Sequence, residues 1–401
     1  KSHVMGVWTH RQSPASEHEV RFSYDRLDDD TSFPLAREFN TYDFGYQHTW
    51  SWSAAQTLVW GLGYRHVDYD TDGSLSQSIN PAEGADDNWN FFVHNESSLF
   101  DDRVDLSYGL RFEDNERGGS AVQPNVRVSW RVDEHKVLWA SLARAIRTPS
   151  IAENSINTTG LSVPPGVVPP LPVPVIGAVQ GLGSLDSEWL DGLDVGFRWH
   201  LTDSLSLDVA AFAYDYDDII LVEFEDVRCL DGTSIFSDPT CVLTSPLLTA
   251  LNTTQNAGDA NSYGAELSVS WAPLPNLSFE FNHSYLDLDI DGTDTAAEFF
   301  ANQISGPNPE HQSAFTWRYR PLPRWTVDGQ VRRVSKLRNP EIDGYTVFDL
   351  RIGWEPRPGL RVALVGQDLG DSRHLEFVDN FGNGLPAEVE DTFLLQLDLS
   401  L

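Results

Sequence analysis

The stretch V-D-L-S-Y-G-L-R-F-E at residues 104–113 places apolar and polar side chains in strict alternation. Because successive side chains of a β-strand point to opposite faces, one face of this segment is apolar and the other is polar. The same two-residue period recurs along the whole chain, and it predicts an all-β protein. Further examples are A-E-L-S-V-S-W at 265–271, L-S-F-E-F-N-H-S-Y at 277–285 and F-L-L-Q-L-D-L-S-L at 393–401.

Composition narrows the classes of protein. The chain has 401 residues and a mean hydropathy of −0.32, and it has no apolar run of about 18 residues that would form a transmembrane helix. A membrane β-barrel carries its apolar side chains at alternate positions, so its average hydropathy resembles that of a soluble protein. With 60 acidic and 27 basic residues the net charge is −33, which argues against a nucleic-acid partner.

The connections between segments alternate in length. Several apolar segments end in Trp or Tyr and are followed by a very short turn, whereas the intervening connections are long and polar. Short turns on one rim, long loops on the other and an aromatic girdle are typical of an outer-membrane barrel. A soluble propeller or solenoid would show a fixed repeat, which is missing here. The short turns are expected at 131–135, 200–204, 272–276, 320–324 and 355–359, and the long loops at about 71–86, 150–185, 224–250, 290–308 and 371–389.

The segments predict about seventeen strands of an antiparallel transmembrane β-barrel. An odd number places the two ends of the barrel on opposite sides of the membrane, which single-chain bacterial barrels avoid. We therefore expect residues 1–401 to be the C-terminal part of a longer barrel, with at least one upstream strand and a signal peptide outside the sequence.

Four stretches match the motifs of a known family. Residues 139–153 (WASLARAIRTPSIAE), 185–197 (LDSEWLDGLDVGF), 256–266 (NAGDANSYGAE) and 345–371 (YTVFDLRIGW to QDLGD) occur in the order found in TonB-dependent outer-membrane receptors. Ile146 replaces the usual Phe before R-T-P-S, and Ser187 replaces the Pro of L-x-P-E. The chain thus resembles the β-barrel of that family from about Trp8 to its end.

This resemblance implies a barrel of about 22 strands in the bacterial outer membrane, with a plug domain and first strands outside this sequence. It implies energy-coupled uptake of a scarce, bulky nutrient, with a ferric siderophore as the usual cargo; cobalamin, haem and oligosaccharides stay open. The expected partners are the TonB complex, acting through the plug, the outer-membrane lipids and lipopolysaccharide. A monomer is expected. The rival hypothesis is a passive porin of about 18 strands.

One arginine stands out as a candidate ligand-binding residue. Arg147 has the opposite parity to Leu138, Leu142 and Ile146, so it should face the lumen and contact a plug or an anionic substrate. Arg144 shares the outward parity near the external rim, where lipid phosphates are its expected partners. The proline-rich run at 164–174 cannot join a sheet and should form an external loop.

The chain has two cysteines, Cys229 and Cys241. They flank a turn-rich stretch, and proteins exported to the outer membrane pass through an oxidising compartment. A disulfide is therefore predicted in an external loop.

A possible calcium site follows from an acidic motif. Asp287, Asp289, Asp291 and Glu298 occupy positions 1, 3, 5 and 12 of the pattern D-x-D-x-D-G-x5-E, with Gly292 at position 6. The motif is not flanked by obvious helices, and acidic loops match by chance in a chain this rich in Asp. Otherwise no cofactor is required.

Catalytic motifs are missing from the sequence, among them C-x-x-C, H-E-x-x-H and G-x-S-x-G. The sequence therefore predicts a transporter and not an enzyme. A barrel-embedded hydrolase that assembles its site from distant strands is the alternative.

Overall fold

A computed structural model describes residues 1–30, 35–163, 173–370, 373–378 and 386–399, with only the backbone for 161–163. Twenty strands in this part of the chain form one continuous sheet. Three of them are short segments in the loops, which leaves seventeen long strands as the wall. The wall strands are β1 (Ser2–Ser13), β2 (Ser16–Asp29), β3 (Leu35–Ser53), β4 (Gln56–Gly73), β6 (Glu83–Leu99), β7 (Val104–Asn115), β8 (Gly119–Asp133), β9 (Lys136–Arg147), β12 (Glu188–Thr202), β13 (Leu205–Cys229), β14 (Leu248–Leu274), β15 (Leu277–Gly292), β16 (His311–Tyr319), β17 (Trp325–Val334), β18 (Tyr345–Arg357), β19 (Leu360–Leu369) and β22 (Thr392–Leu399).

The short elements lie in the connections between wall strands. They are β5 (Gln77–Ile79), β10 (Ile156–Val163), β11 (Val175–Gly181), the two-stranded sheet of β20 (Arg373–Leu375) and β21 (Glu388–Glu390), helices α1 (Ile151–Ser155) and α2 (Thr295–Ser305), and a 3-10 turn at Pro239–Leu243. Neither α-helix in the described residues is long and apolar enough to cross a membrane.

Each wall strand pairs antiparallel with the next one along the chain, from β1–β2 to β19–β22. The predicted antiparallel wall of about seventeen strands is thereby confirmed. Within the described residues, β1 pairs only with β2 and β22 only with β19.

Successive antiparallel strands place the connections alternately on two rims. One rim carries the tight turns, at 14–15, 54–55, 100–103, 134–135, 203–204, 275–276, 320–324 and 358–359. Left-handed backbone makes some of these turns possible: Asp101 and Asp102 have φ values of 54° and 62°, and Gly359 has 83°. The opposite rim carries the long loops, together with the short β7–β8 connection at 116–118. The asymmetry predicted from the sequence is thereby confirmed.

The register collects apolar side chains on one face of the wall. Val126 lies opposite Leu142, which lies opposite Leu193 on its other side, and the row continues through Ala213 to Tyr263. Leu142 and Tyr263 are more than half exposed, as expected for side chains that face lipid rather than a protein core.

Aromatic side chains on the same face lie beside the short turns. Trp130, Trp271 and Trp354 are all nearly half exposed. Amphipathic rings at this level are typical of the interface between hydrocarbon and headgroups. The outward face therefore has the apolar band and the girdle of a transmembrane barrel.

The other face of the wall is polar and lines the lumen. Arginine–carboxylate pairs join neighbouring strands there, for example Arg65 with Asp43 at 2.7 Å and Arg198 with Asp208 at 2.7 Å. The ring of Phe212 lies directly over Gly264 on the adjacent strand, and an added Cβ on Gly264 would approach the ring to 2.5 Å. This glycine permits the close approach of two strands.

The external loops continue the sheet above the wall. The upper part of β14 pairs with β13 on one side and, in parallel, with β11 on the other. β11 pairs with β10, and β10 pairs with β5 in the β4–β6 loop. This external sheet therefore links the β13–β14 hairpin to the β4–β6 loop, above the strands between them.

Candidate functional site: the lumen wall and the external mouth

A groove of about 780 Å³ with both apolar and polar lining residues runs along the lumen side of β12 to β17. On its β12 side the Asp194 carboxylate accepts hydrogen bonds from the hydroxyls of Tyr214 at 2.7 Å and Ser141 at 2.9 Å. Hydrogen-bonding groups that line such a groove can bind a polar ligand or the surface of another domain. Its other polar lining residues are Asp208, Glu266, Ser268, Asn282, Ser284, Gln312 and Arg332.

Arg332 lies with two acidic side chains at the external end of this groove. Asp368 has a φ of 55°, and its carboxylate accepts a 3.0 Å bond from Arg332, whose guanidinium also lies 3.6 Å from Glu376. Nearby, the His374 ring stacks on Tyr345 at 4.3 Å. The His374 Nδ1 atom is buried and has no hydrogen-bond partner in the described structure.

Arg147 lies on the lumen parity at the top of β9, and acidic side chains surround it. Its guanidinium binds both carboxylate oxygens of Glu188 and lies 2.9 Å from Glu153. Only the Glu188 carboxylate is well shielded, since the Arg147 side chain is 50% exposed and that of Glu188 13%. The structure thus gives Arg147 two partners within the chain, and its contact with a substrate stays a prediction.

Helix α1 places Glu153 for this contact. Ser150 and Glu153 form a capping box, with Ser150 N–H donating to the Glu153 carboxylate at 2.8 Å and Glu153 N–H donating to Ser150 Oγ at 3.1 Å. Burial raises the pKa of Glu153. The hydrogen bonds from Ser150 and the charge of Arg147 together lower this pKa by more than burial raises it, so the pKa of Glu153 lies below its usual value.

Separate sequence motifs converge at this rim. The Asn256 amide donates to the carbonyls of Asp186 and Asp218 at 3.0 and 2.7 Å, and its oxygen accepts from Asp186 N–H at 2.9 Å. Thr254 donates its hydroxyl to the Glu153 carbonyl at 2.6 Å. Sequence reasoning identified these motifs but missed that they bind one another.

Helix α2 packs over the tops of β13 to β15. Ala297 and Ala301 are fully buried against Ile219, Leu221 and Ile290. The opposite side presents Phe299 and Ile304, which are 58% and 48% exposed. The helix was missed from sequence, although Asp294 followed by an alanine-rich run is a helix-start signal: Asp294 accepts from Ala297 N–H at 2.7 Å.

Cys229 and Cys241 are bonded in the structure and close the loop between β13 and β14. Both are buried in a small apolar cluster with Val175 and Leu248. Because Val175 opens β11, the disulfide lies where the β13–β14 loop meets the external sheet.

The proposed calcium ligands lie on regular secondary structure. Asp287, Asp289 and Asp291 follow one another on the outward face of β15. Asp287 accepts from the Tyr263 hydroxyl at 2.7 Å, and Glu298, on α2, accepts from Gly292 N–H at 3.1 Å. Among the described residues, no group of three or more acidic, His or Cys side chains is arranged to hold a metal ion. The calcium site stays a prediction.

The outward Arg144 is predicted from the sequence to contact lipid phosphates, whereas in the structure its Nε donates to Asp191 at 2.7 Å.

The proline-rich loop falls largely outside the described residues, which resume at residue 173.

The fold is similar to that of solved receptors. The siderophore receptor PirA from Acinetobacter baumannii matches over 100% of this chain with a TM-score of 0.73 and 13% identity. A variant of the ferric enterobactin receptor PfeA from Pseudomonas aeruginosa gives 0.73 and 14%, also over 100% of this chain. The copper transporter OprC gives 0.66 and 15%, again over 100%. The chain covers 62%, 62% and 65% of these proteins.

A curated relative is the probable TonB-dependent siderophore receptor PirA of A. baumannii, 25% identical over 137 residues, which are 33% of this chain and 17% of the relative. The chain therefore spans less than two thirds of the length of each of these relatives.

The family model described as TonB-dependent receptor-like, β-barrel, matches residues 6–369. Members of this family are receptors and transporters of the outer membrane, not enzymes or passive porins. The family match thus supports a receptor and not the passive-porin alternative. The chain belongs to the TonB-dependent receptor β-barrel family and lies in the bacterial outer membrane.

Proposed function

We propose that this chain is the wall of a receptor that takes up a ferric siderophore with energy delivered through TonB. The observation that carries the proposal is the family match over residues 6–369. In addition, one siderophore receptor is similar to this chain in sequence, and two are similar to it in fold. Uptake by a monomer is part of the proposal.

The geometry supports ligand capture in two stages. Exposed Phe299 and Ile304 on α2 offer apolar contact to an incoming ligand at the mouth. Below them the lumen groove offers hydrogen-bond donors and acceptors, with the Arg332 guanidinium at its external end. Arginine suits a carboxylate or catecholate group because it donates several hydrogen bonds from a planar cation.

Deletion of the gene in its native host, followed by complementation, tests the proposal. Uptake of ⁵⁵Fe bound to purified siderophores should fall on deletion, return on complementation and require TonB. Uptake that persists without TonB would contradict the proposal. Arg332→Ala should lower uptake, while Arg65→Ala, which removes a lumen arginine that pairs with Asp43 away from the groove, serves as the matched control.

A further inference from the structure

The wall has a notch between β8 and β9 at its external half. Pairing between these strands ends at Asn125 and Ala143. β8 nevertheless continues to Gly119 beside β7, and β9 continues to Arg147 beside β12. The pairing ends directly beside Pro124, a residue that has no N–H to donate to a sheet.

The notch opens into a groove of about 810 Å³, within the usual range for a small-molecule site of about 300 to 1,000 Å³. Its lower part is apolar and on the outward face. The apolar lining residues are Val122, Pro124, Val126, Leu142, Leu193, Ala213 and Tyr263.

A row of hydrogen-bonding side chains borders the groove two residues higher. Arg144 lies opposite Asp191, Asp191 opposite Asp215, and Asp215 opposite Asn261. Adjacent strands are about 4.8 Å apart, so the row extends roughly 14 Å across four strands. The indole of Trp189 lies 5.3 Å from the Arg144 guanidinium.

The apolar part and the polar row together indicate the occupant. Since the groove opens on the lipid-facing side, acyl chains surround it. The row offers donors and acceptors but carries two carboxylates against one guanidinium, so it disfavours a bare phosphodiester headgroup. Hydroxyls of a sugar are complementary to such a row, because the Asp215 carboxylate accepts hydrogen bonds and the Asn261 amide both donates and accepts them.

We infer that this groove binds an acylated sugar of the outer leaflet, with one acyl chain beside Leu142, Leu193 and Ala213 and the sugar hydroxyls on Asp191, Asp215 and Asn261. The site is on the outside of the wall. It does not depend on the proposed uptake function.

Native mass spectrometry of the protein released from nanodiscs tests this inference. Nanodiscs of phosphatidylcholine would contain either monophosphoryl lipid A or phosphatidylglycerol as the probe. The wild-type protein should retain one lipid A and at least tenfold less phosphatidylglycerol. Ala213→Trp fills the groove from the lipid side and should lower lipid A retention at least tenfold, whereas Ala265→Trp, on the same face but outside the groove, should not.

A second pair of variants tests the sugar contact without changing the apolar part. Asp215→Asn should lower lipid A retention severalfold, and Asp70→Asn, on distant β4, should leave it unchanged. Correct folding of each variant is checked by its heat-dependent mobility on gels. Equal lipid A retention by the wild type and Ala213→Trp would overturn the inference. So would equal retention of lipid A and phosphatidylglycerol by the wild type.

Discussion

Arg147 at the end of β9 donates to both carboxylate oxygens of Glu188 at the start of β12. Thirty-one of the residues between them, 148–163 and 173–187, belong to the described part of the external connection. The pair therefore fixes both ends of a long loop at the point where it leaves and rejoins the wall. Glu188 also accepts from Ile220 N–H at 2.8 Å, so the contact extends to β13.

Loss of this pair should loosen the mouth. A hydrogen-bonded ion pair contributes about 1.5 to 3 kcal/mol, and half-exposure of Arg147 reduces this to about 1 to 2 kcal/mol. We expect Arg147→Ala to lower the free energy of unfolding in liposomes by that amount, and Arg147→Lys to restore it only in part, because Lys cannot bind both oxygens in a planar geometry.

Arg198→Ala is the control for this change, since Arg198 pairs with Asp208 across the short β12–β13 hairpin. It should leave proteolysis of the 148–187 connection unchanged, whereas Arg147→Ala should speed it. Similar proteolysis of both variants would contradict the role of Arg147 at the mouth.

Glu153 should make the same rim sensitive to acid. Its pKa lies below the usual 4.5, so the ionised form stabilises the folded rim at neutral pH. This contribution is present above the unfolded-state pKa and is lost as the pH falls through the lower folded-state pKa. Hydrogen exchange in peptides covering 148–160 should therefore show less protection at acid pH, after correction for intrinsic exchange rates.

Glu153→Gln should remove most of this pH dependence, because the amide does not titrate. Peptides from the β16–β17 turn at 320–324 provide an internal reference. A pH dependence of equal size in the variant would show that another group is responsible.

The sequence predicted the wall well because the two-residue period is both local and repeated. Prediction from the sequence failed where contacts between distant residues determine the structure. The pattern D-x-D-x-D of a calcium loop has the same period as a strand, so Asp287, Asp289 and Asp291 fit β15 equally well. The β8–β9 pairing ends at Asn125 because of the strand register. The contact between Arg332 and Asp368 depends on the left-handed backbone of Asp368. Patterns in a single sequence encode neither feature.

Reduction should loosen the β13–β14 loop. The Cys229–Cys241 bond closes a loop with a sequence separation of 12, for which chain entropy predicts roughly 3 kcal/mol of stabilisation. Mass spectrometry of unreduced peptides should find the two cysteines linked. Replacing both with Ser should speed proteolysis at 230–247 while leaving the wall folded. Free thiols in the native protein would contradict the bond.

The acidic residues of β15 should bind calcium only weakly. Alternate side chains on a strand are about 7 Å apart, too far for three adjacent carboxylates to share one ion without a change of backbone. We expect a dissociation constant of about 0.1 to 1 mM, as in extracellular modules. Calorimetry should give a small heat that disappears in Asp289→Ala but persists in Asp70→Ala. Identical titrations of the wild type and Asp289→Ala would contradict the site.

Adjacent residues of β14 should differ strongly in how much stability is lost when each is replaced by arginine. Leu267 pairs with Val209 and His283 on the outward face, midway between Tyr263 and Trp271, whereas Ser268 lines the lumen groove. Arginine on the lipid face near the midplane costs about 2 to 4 kcal/mol. Leu267→Arg should therefore lower the free energy of unfolding in liposomes by that amount. Ser268→Arg should cost far less, because its side chain reaches water and lies beside Asp208. Equal losses at the two positions would mean that both faces of β14 are buried alike, and the assignment of one face to lipid and the other to the lumen would be wrong.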